Sequence, residues 1–331
     1  IASSNQLAKF QMVDQVIDEY QDATGIDAGN STNEFGGGSG SAVYYEGGSA
    51  GSPTTVVKSY TGSNQTFVVP SGVTTINFIA WGAAGGGGNS SYGGGGGFIE
   101  GDVTVVPAET LNVKVGGGGG IAHSSGSNPG GGGGGTGIYR SSTVLAIAGA
   151  GGGGENNIHG GPGGGTTGAD GNLATGSIPA NGGTQSAGGA AVAGGGAGSL
   201  NQGGSMPSSL STAAGGYNGG GTGDGDNAAY TGGGGGGGYY GGSSSGASAS
   251  HHGSGAGGSS LTAGTNTQGS AGTVANAGHA NYASGTGNGV SGAIGQHGNA
   301  VIKYTGVNSG ANLTLQSVAT TAESAPTTAD L

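Results

Sequence analysis

The sequence predicts an all-β protein, a β-sandwich whose loops are greatly expanded by glycine. Three observations predict this fold: strand-like segments with a period of two, glycine tracts that leave and re-enter those segments, and one last strand about 150 residues after the others. A tract that starts and ends at a strand is held at both ends, which lowers the entropy cost of aligning it with its neighbours. A flexible Gly/Ser linker needs no strand at either end.

The strand predictions rest on Val, Ile, Phe and Thr placed between turn residues. Pro70-Ser71-Gly72 and Pro107-Ala108-Glu109 predict turns, because proline presets φ and cannot donate to a ladder. The predicted strands are Val56–Tyr60, Gln65–Val69, Thr74–Trp81, Phe98–Val106, Thr110–Val115, Gly137–Tyr139, Thr143–Ala148 and Ala300–Tyr304. The expectation is therefore a sandwich of about seven to eight strands.

One helix is predicted ahead of the strands, over Asn5–Tyr20, where apolar residues recur at spacings of three and four. Its narrow stripe fits either packing on its own domain or a three-stranded seam between chains. We expect residues 1–35 to hold this helix and a linker, 36–55 a Gly/Ser-rich linker, 56–306 the glycine-rich β domain with an insertion at about 150–298, and 307–331 the start of a following β region. The chain is expected to be an internal piece of a longer polypeptide.

Glycine makes up 91 of the 331 residues and fills the run Gly232–Gly238 without interruption. Glycine chains in the polyproline II conformation have no internal hydrogen bonds, so each N–H and C=O can pair with a neighbouring chain. The tracts can thus form either a side-by-side lattice or a flexible linker, and the strands at their ends favour the lattice. Collagen is excluded because glycine does not occur at every third position and only 8 residues are proline.

The amino-acid composition restricts the kinds of partner and setting that suit the chain. Only 6% of residues are charged and 32% are hydrophobic, which argues against plain disorder. With 5 cations against 16 anions, the net charge is −11, so nucleic acid is a poor partner. Cysteine is absent, which removes disulfides and thiolate chemistry. No apolar run is long enough to insert into a membrane, and the composition suits a virion surface or extracellular setting.

The sequence holds no convincing catalytic, cofactor or metal site. The six histidines lie among small polar residues without a carboxylate at ligand spacing. Asp224-Gly225-Asp226-Asn227 resembles the start of a calcium loop but has no bidentate Glu downstream. Chance GxGxxG matches lack the Gly-Lys-Ser/Thr of a phosphate loop. We therefore expect a protein that is not an enzyme and carries no cofactor.

Tyrosines in the glycine-rich region are the best candidates for surface contact. A tyrosine offers a large, rigid and amphipathic face with little entropy to lose, which suits recognition of sugars and proteins. The alternative is that the rings cover the sides of the lattice as a local core. We expect the contact site on loop tips within 215–245, with nearby acids accepting hydrogen bonds from hydroxyls; the candidates are Tyr217, Tyr230, Tyr239, Tyr240, Asp224 and Asp226.

An ordered set of motifs resembles the bacterial and phage glycine-rich domain family. It comprises Tyr60-Thr-Gly-Ser, Phe67-Val-Val-Pro-Ser-Gly-Val73, Ile76–Trp81-Gly-Ala-Ala, Gly97-Phe-Ile-Glu-Gly101, Thr110-Leu-Asn-Val-Lys-Val115-Gly, Val144–Gly154 and Gly298-Asn-Ala-Val-Ile-Lys-Tyr304. The resemblance covers roughly Val56 to Gly306. It implies a jelly-roll-like sandwich with polyglycine II loops, broadly similar to the glycine-rich domain of anaplastic lymphoma kinase receptors. Polyglycine II bundles also occur in tail-fibre tip adhesins of T-even-type phages.

The flanks, Met12–Phe35 and Asn312–Leu331, resemble short segments of virion structural proteins of marine tailed phages. Together the resemblances imply a structural or adhesive module of a virion appendage such as a tail fibre. The expected partners are further copies of the chain, as a trimer or filament, other virion proteins, and a host cell-surface glycan or protein. A secreted bacterial surface filament or matrix protein is the alternative, and an ice-binding protein a more distant one.

Overall fold

The computed structural model of the protein describes residues 34–36, 44–46, 50–122, 128–172, 179–192, 194–206, 211–227, 230–245 and 253–307. The chain divides into two compact units, 1–52 with 305–331 and 53–304. In the first unit, β1 (Glu34–Gly36) and β2 (Tyr44–Glu46) form an antiparallel pair around the start of the segment predicted to be a linker. The predicted helix Asn5–Tyr20 lies outside the described residues.

Across the part of the chain that is described, the fold is all-β and contains no helix. The remaining strands are β3 (Ala50–Ser59), β4 (Gln65–Val68), β5 (Thr75–Trp81), β6 (Phe98–Thr104), β7 (Thr110–Lys114), β8 (Thr136–Arg140), β9 (Thr143–Ala148), β10 (Ser211–Ala213), β11 (Gly223–Asn227), β12 (Tyr230–Gly232), β13 (Thr265–Thr267) and β14 (Asn299–Val307). All eight strands predicted from the sequence are present, with ends that differ by at most six residues. The short strands β10 to β13 lie inside the glycine-rich region and were not predicted.

Two antiparallel sheets form the body of the second unit. One has the strand order β13-β6-β5-β14-β3 and the other the order β4-β7-β8-β9. β14 pairs with β5 from Asn299 opposite Trp81 to Lys303 opposite Asn77. The last predicted strand is therefore inserted between β5 and β3 inside the first sheet, rather than added at its edge.

The hydrophobic core lies between the two sheets. In β5, Ile76, Phe78 and Ala80 belong to this core, together with residues of the second sheet such as Leu111 and Ile138. All five are fully buried. Removing a large apolar side chain from water contributes roughly 1.5–3 kcal/mol, so this cluster supplies the main apolar stabilisation of the sheets.

The opposite face of β5 is buried as well. The alternate residues Ile79 and Trp81 belong to a second cluster, which Val274 and Ala275 cover from a loop. The indole Nε1–H of Trp81 donates to the carbonyl of Ala275 at 3.1 Å, so the buried polar atom has a partner. Because both faces are covered, the sequence of β5 is nearly continuously apolar and does not alternate between apolar and polar residues.

The chain turns at both positions where proline predicted a turn. After β4, the N–H of Val73 donates to the carbonyl of Pro70 at 3.2 Å. After β6, Glu109 accepts two hydrogen bonds of 2.8 Å from the Arg140 guanidinium and one of 2.7 Å from the Val106 N–H. The hydrogen bond from Arg140 is the main reason that the pKa of Glu109 falls from 4.5 to about 2.

The glycine tracts form a laterally bonded bundle next to the sheets, here called the glycine bundle: residues 82–88, 93–97, 116–120, 130–135, 149–154 and 233–238. Successive N–H groups of one tract point to three different neighbouring tracts, and the same neighbour returns at every third residue. The tract after β5 shows this pattern, with N–H to carbonyl distances of 2.9–3.1 Å. Residues 82 and 85 donate to residues 97 and 94, residues 83 and 86 donate to 134 and 131, and residues 84 and 87 donate to 296 and 293, respectively.

Glycine is needed in this bundle for close approach rather than for an unusual backbone conformation. No glycine of the six tracts has a positive φ. A Cβ built on Gly153 would overlap the carbonyl of Gly130, and one built on Gly86 would overlap that of Gly120. Real Cβ atoms essentially never come within 3.0 Å of such atoms. A side chain at either of these two positions would therefore force two tracts apart.

Buried serines extend the same bonding beyond the glycines. The Ser260 hydroxyl accepts the N–H of Gly149 at 2.8 Å, and the Ser244 hydroxyl accepts that of Gly196 at 2.7 Å. Ser243 and Ser254 accept backbone N–H groups in the same way. All four serines are buried. A short hydroxyl thus replaces a backbone carbonyl as acceptor where neighbouring segments end.

Candidate functional site

The bundle has two distinct ends, which its hydrogen-bond register defines. Residues 130–135 run directly into β8, and residues 149–154 leave β9 directly. The tract 233–238 is parallel to the first, since Gly234 donates to Gly130 and Gly237 to Gly133. Gly238 therefore lies toward the strands, at what we call the sheet end, whereas Gly233 lies at the far end.

Tyr239 and Tyr240 follow this tract and lie at the sheet end. Their rings meet edge to face, with centroids 5.1 Å apart and planes at 76°. Tyr240 pairs with Leu200, and the N–H of Asn201 donates to the carbonyl of Tyr239 at 3.0 Å. The N–H of Tyr239 donates to the carbonyl of Ser259 at 2.8 Å. Backbone hydrogen bonds on both sides thus fix the main chain that carries the two rings.

An open cleft of about 290 Å³ lies beside Tyr239. We call it the Tyr239 cleft; its lining residues are Ser142, Thr143, Val144, Leu200, Asn201 and Tyr239. Ser142 lies in the β8–β9 turn, and Thr143 and Val144 begin β9. Leu200 and Asn201 come from a turn closed by hydrogen bonds between Ser199 and Gln202. Leu200 is 53% exposed despite being a large apolar residue. The cleft therefore combines an aromatic ring, aliphatic surface, hydroxyls and an amide.

Tyr217 also lies near the strands but is engaged by other residues. Its hydroxyl donates to Asn64 Oδ1 at 2.7 Å, and its ring meets the edge of Tyr60 at a centroid distance of 6.4 Å. Burial, and after it the neighbouring Tyr60, raises the pKa of Tyr217. The Tyr60 ring in turn stacks on His297 at 3.8 Å. These contacts connect the segment before β4 with the bundle. The Tyr217 hydroxyl already has an acceptor in Asn64.

The other predicted contact residues lie at the far end. Asp224 and Asp226 belong to β11 and Tyr230 to β12, in the three-stranded sheet β10-β11-β12. Asp224 pairs with Gly232, the residue before Gly233, and its side chain is only 2% exposed. The six predicted residues are therefore divided between the two ends of the bundle. The structure brings together Tyr239 and Tyr240 but not the full set.

Three histidines in the described region serve as hydrogen-bond acceptors for the backbone. The Nδ1 atoms of His159, His279 and His297 accept N–H groups of Tyr92, Asn281 and Gly118 at 3.0, 3.1 and 2.9 Å. Burial lowers the pKa of His297, which favours the neutral form that can accept. The described residues contain no group of three potential metal ligands. These histidines fix loops to the bundle and sheets.

Sequence reasoning missed five of the six residues that line the Tyr239 cleft. Leu200 and Asn201 lie almost 40 residues before Tyr239, and Ser142 to Val144 almost 100. Their proximity depends on which tracts are neighbours in the bundle, and a run of identical glycines carries no such information. An apolar Leu200 among small polar residues was the one available signal.

No model of a known protein family matches the chain, and a search of curated proteins likewise finds no match. Within its described portion, the chain contains no helix that is long and apolar enough to cross a membrane.

Proposed function

We propose that this chain is a non-enzymatic structural and adhesive module of a virion appendage such as a phage tail fibre. In this proposal the two sheets form a jelly-roll-like sandwich, and the glycine tracts pack on it as a polyglycine II lattice. The observation that carries the proposal is the return of the same hydrogen-bond neighbour at every third residue of a tract.

That period supports the polyglycine II assignment on physical grounds. A polyproline II helix has three residues per turn and no internal hydrogen bonds, so its N–H groups radiate in three directions. Tract 149–154 follows this rule: residues 150 and 153 donate to 237 and 234, and residues 151 and 154 donate to 83 and 86. The absence of positive φ in the tracts and the lack of space for a Cβ agree with the same helix.

Such a lattice suits a part that must hold its shape outside a cell. Each backbone hydrogen bond contributes about 0.5–1.5 kcal/mol net, and a dense three-way network adds many of them without a large apolar core. Rigid tracts also let the connecting loops vary in sequence at little structural cost, which is what a surface that recognises changing hosts requires.

The test locates the protein on particles. Virions purified from the host that produces this chain are digested for mass spectrometry and labelled with gold-coupled antibodies against residues 53–304. We expect peptides of the chain in the particles and gold on a tail or fibre. Protein found only in the medium or on bacterial surfaces, with none on particles, would overturn the appendage role in favour of a secreted filament.

Assembly is the second part of the proposal. Fibre proteins are commonly symmetric homo-oligomers, and we propose that this chain forms a trimer or a filament that also contacts other virion proteins. Sedimentation velocity of the purified chain is expected to give a species of three or more copies. A single monomeric species at all concentrations would contradict this part and leave the lattice unaffected.

A further inference from the structure

We infer that the Tyr239 cleft binds one neutral sugar ring, such as the terminal pyranose of a surface glycan. This inference rests on the adhesive part of the proposed function and names its ligand class. The lining supplies what a pyranose presents: the Tyr239 ring and the Leu200 side chain for its C–H face, and hydroxyl and amide groups for its hydroxyls. None of the six lining residues is charged.

Polar groups in the cleft are available for a ligand. The hydroxyls of Ser142, Thr143 and Tyr239 form no hydrogen bond with another residue in the described ranges. Asn201 Oδ1 is buried beside the cleft and, within the same ranges, has no hydrogen-bond partner. A buried acceptor without a partner carries a free-energy cost, because it has lost its hydrogen bonds to water without gaining one in the protein. A ligand hydroxyl that donates to Asn201, after a small rotation of its amide, would relieve that cost.

Backbone hydrogen bonds preorganise the cleft. Asn201 donates from its N–H to Tyr239, and Gly241 donates to the carbonyl of Ser199, both at 3.0 Å. The turn that carries Leu200 is thereby fixed to the segment that carries the aromatic ring. Little entropy remains to be lost on binding, which improves the affinity of a small ligand.

Size and charge restrict the ligand further. A volume of about 290 Å³ lies just below the roughly 300–1,000 Å³ range of small-molecule sites, which fits one ring rather than an oligosaccharide. The chain has a net charge of −11, and no cation lines the cleft. An anionic sugar or a phosphate therefore gains no ion pair here and is repelled at long range.

The experiment uses saturation-transfer NMR on the whole chain. The probes are the methyl glycosides of glucose, galactose, mannose and N-acetylglucosamine, with methyl sialoside as the charged probe. We expect saturable binding of at least one neutral glycoside and none of the sialoside. Tyr239→Ser should weaken that binding by about tenfold, because it removes the one aromatic face among the six lining residues.

Tyr92→Ser provides a matched control. Tyr92 is 43% exposed, and its carbonyl accepts the N–H of Gly160 at the far end of the bundle. The control should bind the glycoside like the unchanged chain. Hydrogen exchange with and without glycoside gives a second measurement that requires no variant. Protection is expected in peptides that cover residues 141–144, 199–202 and 238–241.

Three results would overturn the sugar inference: no neutral glycoside bound at any concentration, binding unaffected by Tyr239→Ser, or protection confined to other peptides. If a host-surface protein instead bound in a Tyr239-dependent manner while every glycoside failed, the cleft would be a protein contact. Each of these results leaves the lattice and the appendage role standing, because particle labelling tests those separately.

Discussion

Gly235 offers a direct test of close packing in the glycine bundle. Its N–H donates to the carbonyl of Gly204 at 2.9 Å, and its carbonyl accepts the N–H of Gly221 at 2.8 Å. In Gly235→Ala, the new Cβ would overlap the carbonyl of Gly242. Because φ at this position is not positive, alanine suffers no backbone strain. The collision is therefore the main cost.

The expected loss of stability follows from the hydrogen bonds that the substitution weakens. Moving the tract away from Gly242 weakens two hydrogen bonds worth about 0.5–1.5 kcal/mol each and leaves a buried N–H at a cost of about 1–3 kcal/mol. Alanine returns about 0.4–1 kcal/mol by restricting the unfolded chain. These ranges sum to a net loss of about 1–6 kcal/mol, with a midpoint of about 3 kcal/mol. For a domain of this size the midpoint value lowers Tm by roughly 6–12 °C.

Gly278→Ala is the matched control. Gly278 is exposed, its φ is not positive, and a Cβ there would have no atom within 4 Å. Its Tm should stay the same or rise slightly, for the same unfolded-state reason. Thermal unfolding followed by the fluorescence of Trp81 and by calorimetry measures both variants. If both kept the Tm of the unchanged chain, the tract around Gly235 would not be closely packed.

Three further predictions concern the sheets and their turns. Trp81→Ala should destabilise the second unit by about 3–5 kcal/mol in urea unfolding, because a fully buried indole is lost; an unchanged midpoint would contradict the buried position. Glu109 has a pKa of about 2 in the folded chain against an ordinary value of 4.5. Its ion pair with Arg140 therefore stabilises the fold above pH 4.5, and this contribution is lost as pH falls through about 2. Glu109→Gln should remove this pH dependence of stability, which is worth below about 1 kcal/mol because Arg140 is 43% exposed. The pKa of His297 in the folded chain is below 6.5, so its contribution to stability is complete above pH 6.5 and is lost as pH falls through that lowered pKa. His297→Asn should therefore reduce the dependence of Tm on pH between pH 7 and pH 5. An equally steep dependence in the variant would exclude His297 as its cause.

The strands could be predicted because they carry local signals. Apolar residues in β5 and β7, bounded by proline turns, define strands without knowledge of their partners. The position of β14 inside its sheet was not predictable, since its short apolar run suits an edge or a centre equally well. Neighbour relations among the glycine tracts were also inaccessible, because pairing between identical residues leaves no pattern in the sequence.

The candidate site was predictable only in part for the same reason. Tyr239 and Tyr240 stand out as large rings after a glycine run, and the sequence identified them. Asp224 was expected on a loop tip, where it could accept hydrogen bonds from a ligand, yet it lies in β11 and is only 2% exposed. Leu200 and Asn201 reach Tyr239 only through the register of the bundle, which the sequence does not reveal.

The inserted position of β14 determines when this protein can fold during synthesis. More than 200 residues separate β14 from β5, the strand that it pairs with. At about 5–20 residues per second, the ribosome needs roughly 10–40 s to produce that stretch, and during this time one edge of β5 has no partner. A chain truncated before residue 299 would keep that edge open permanently. We therefore expect a nascent chain to expose the free edge of β5 until the last strand emerges.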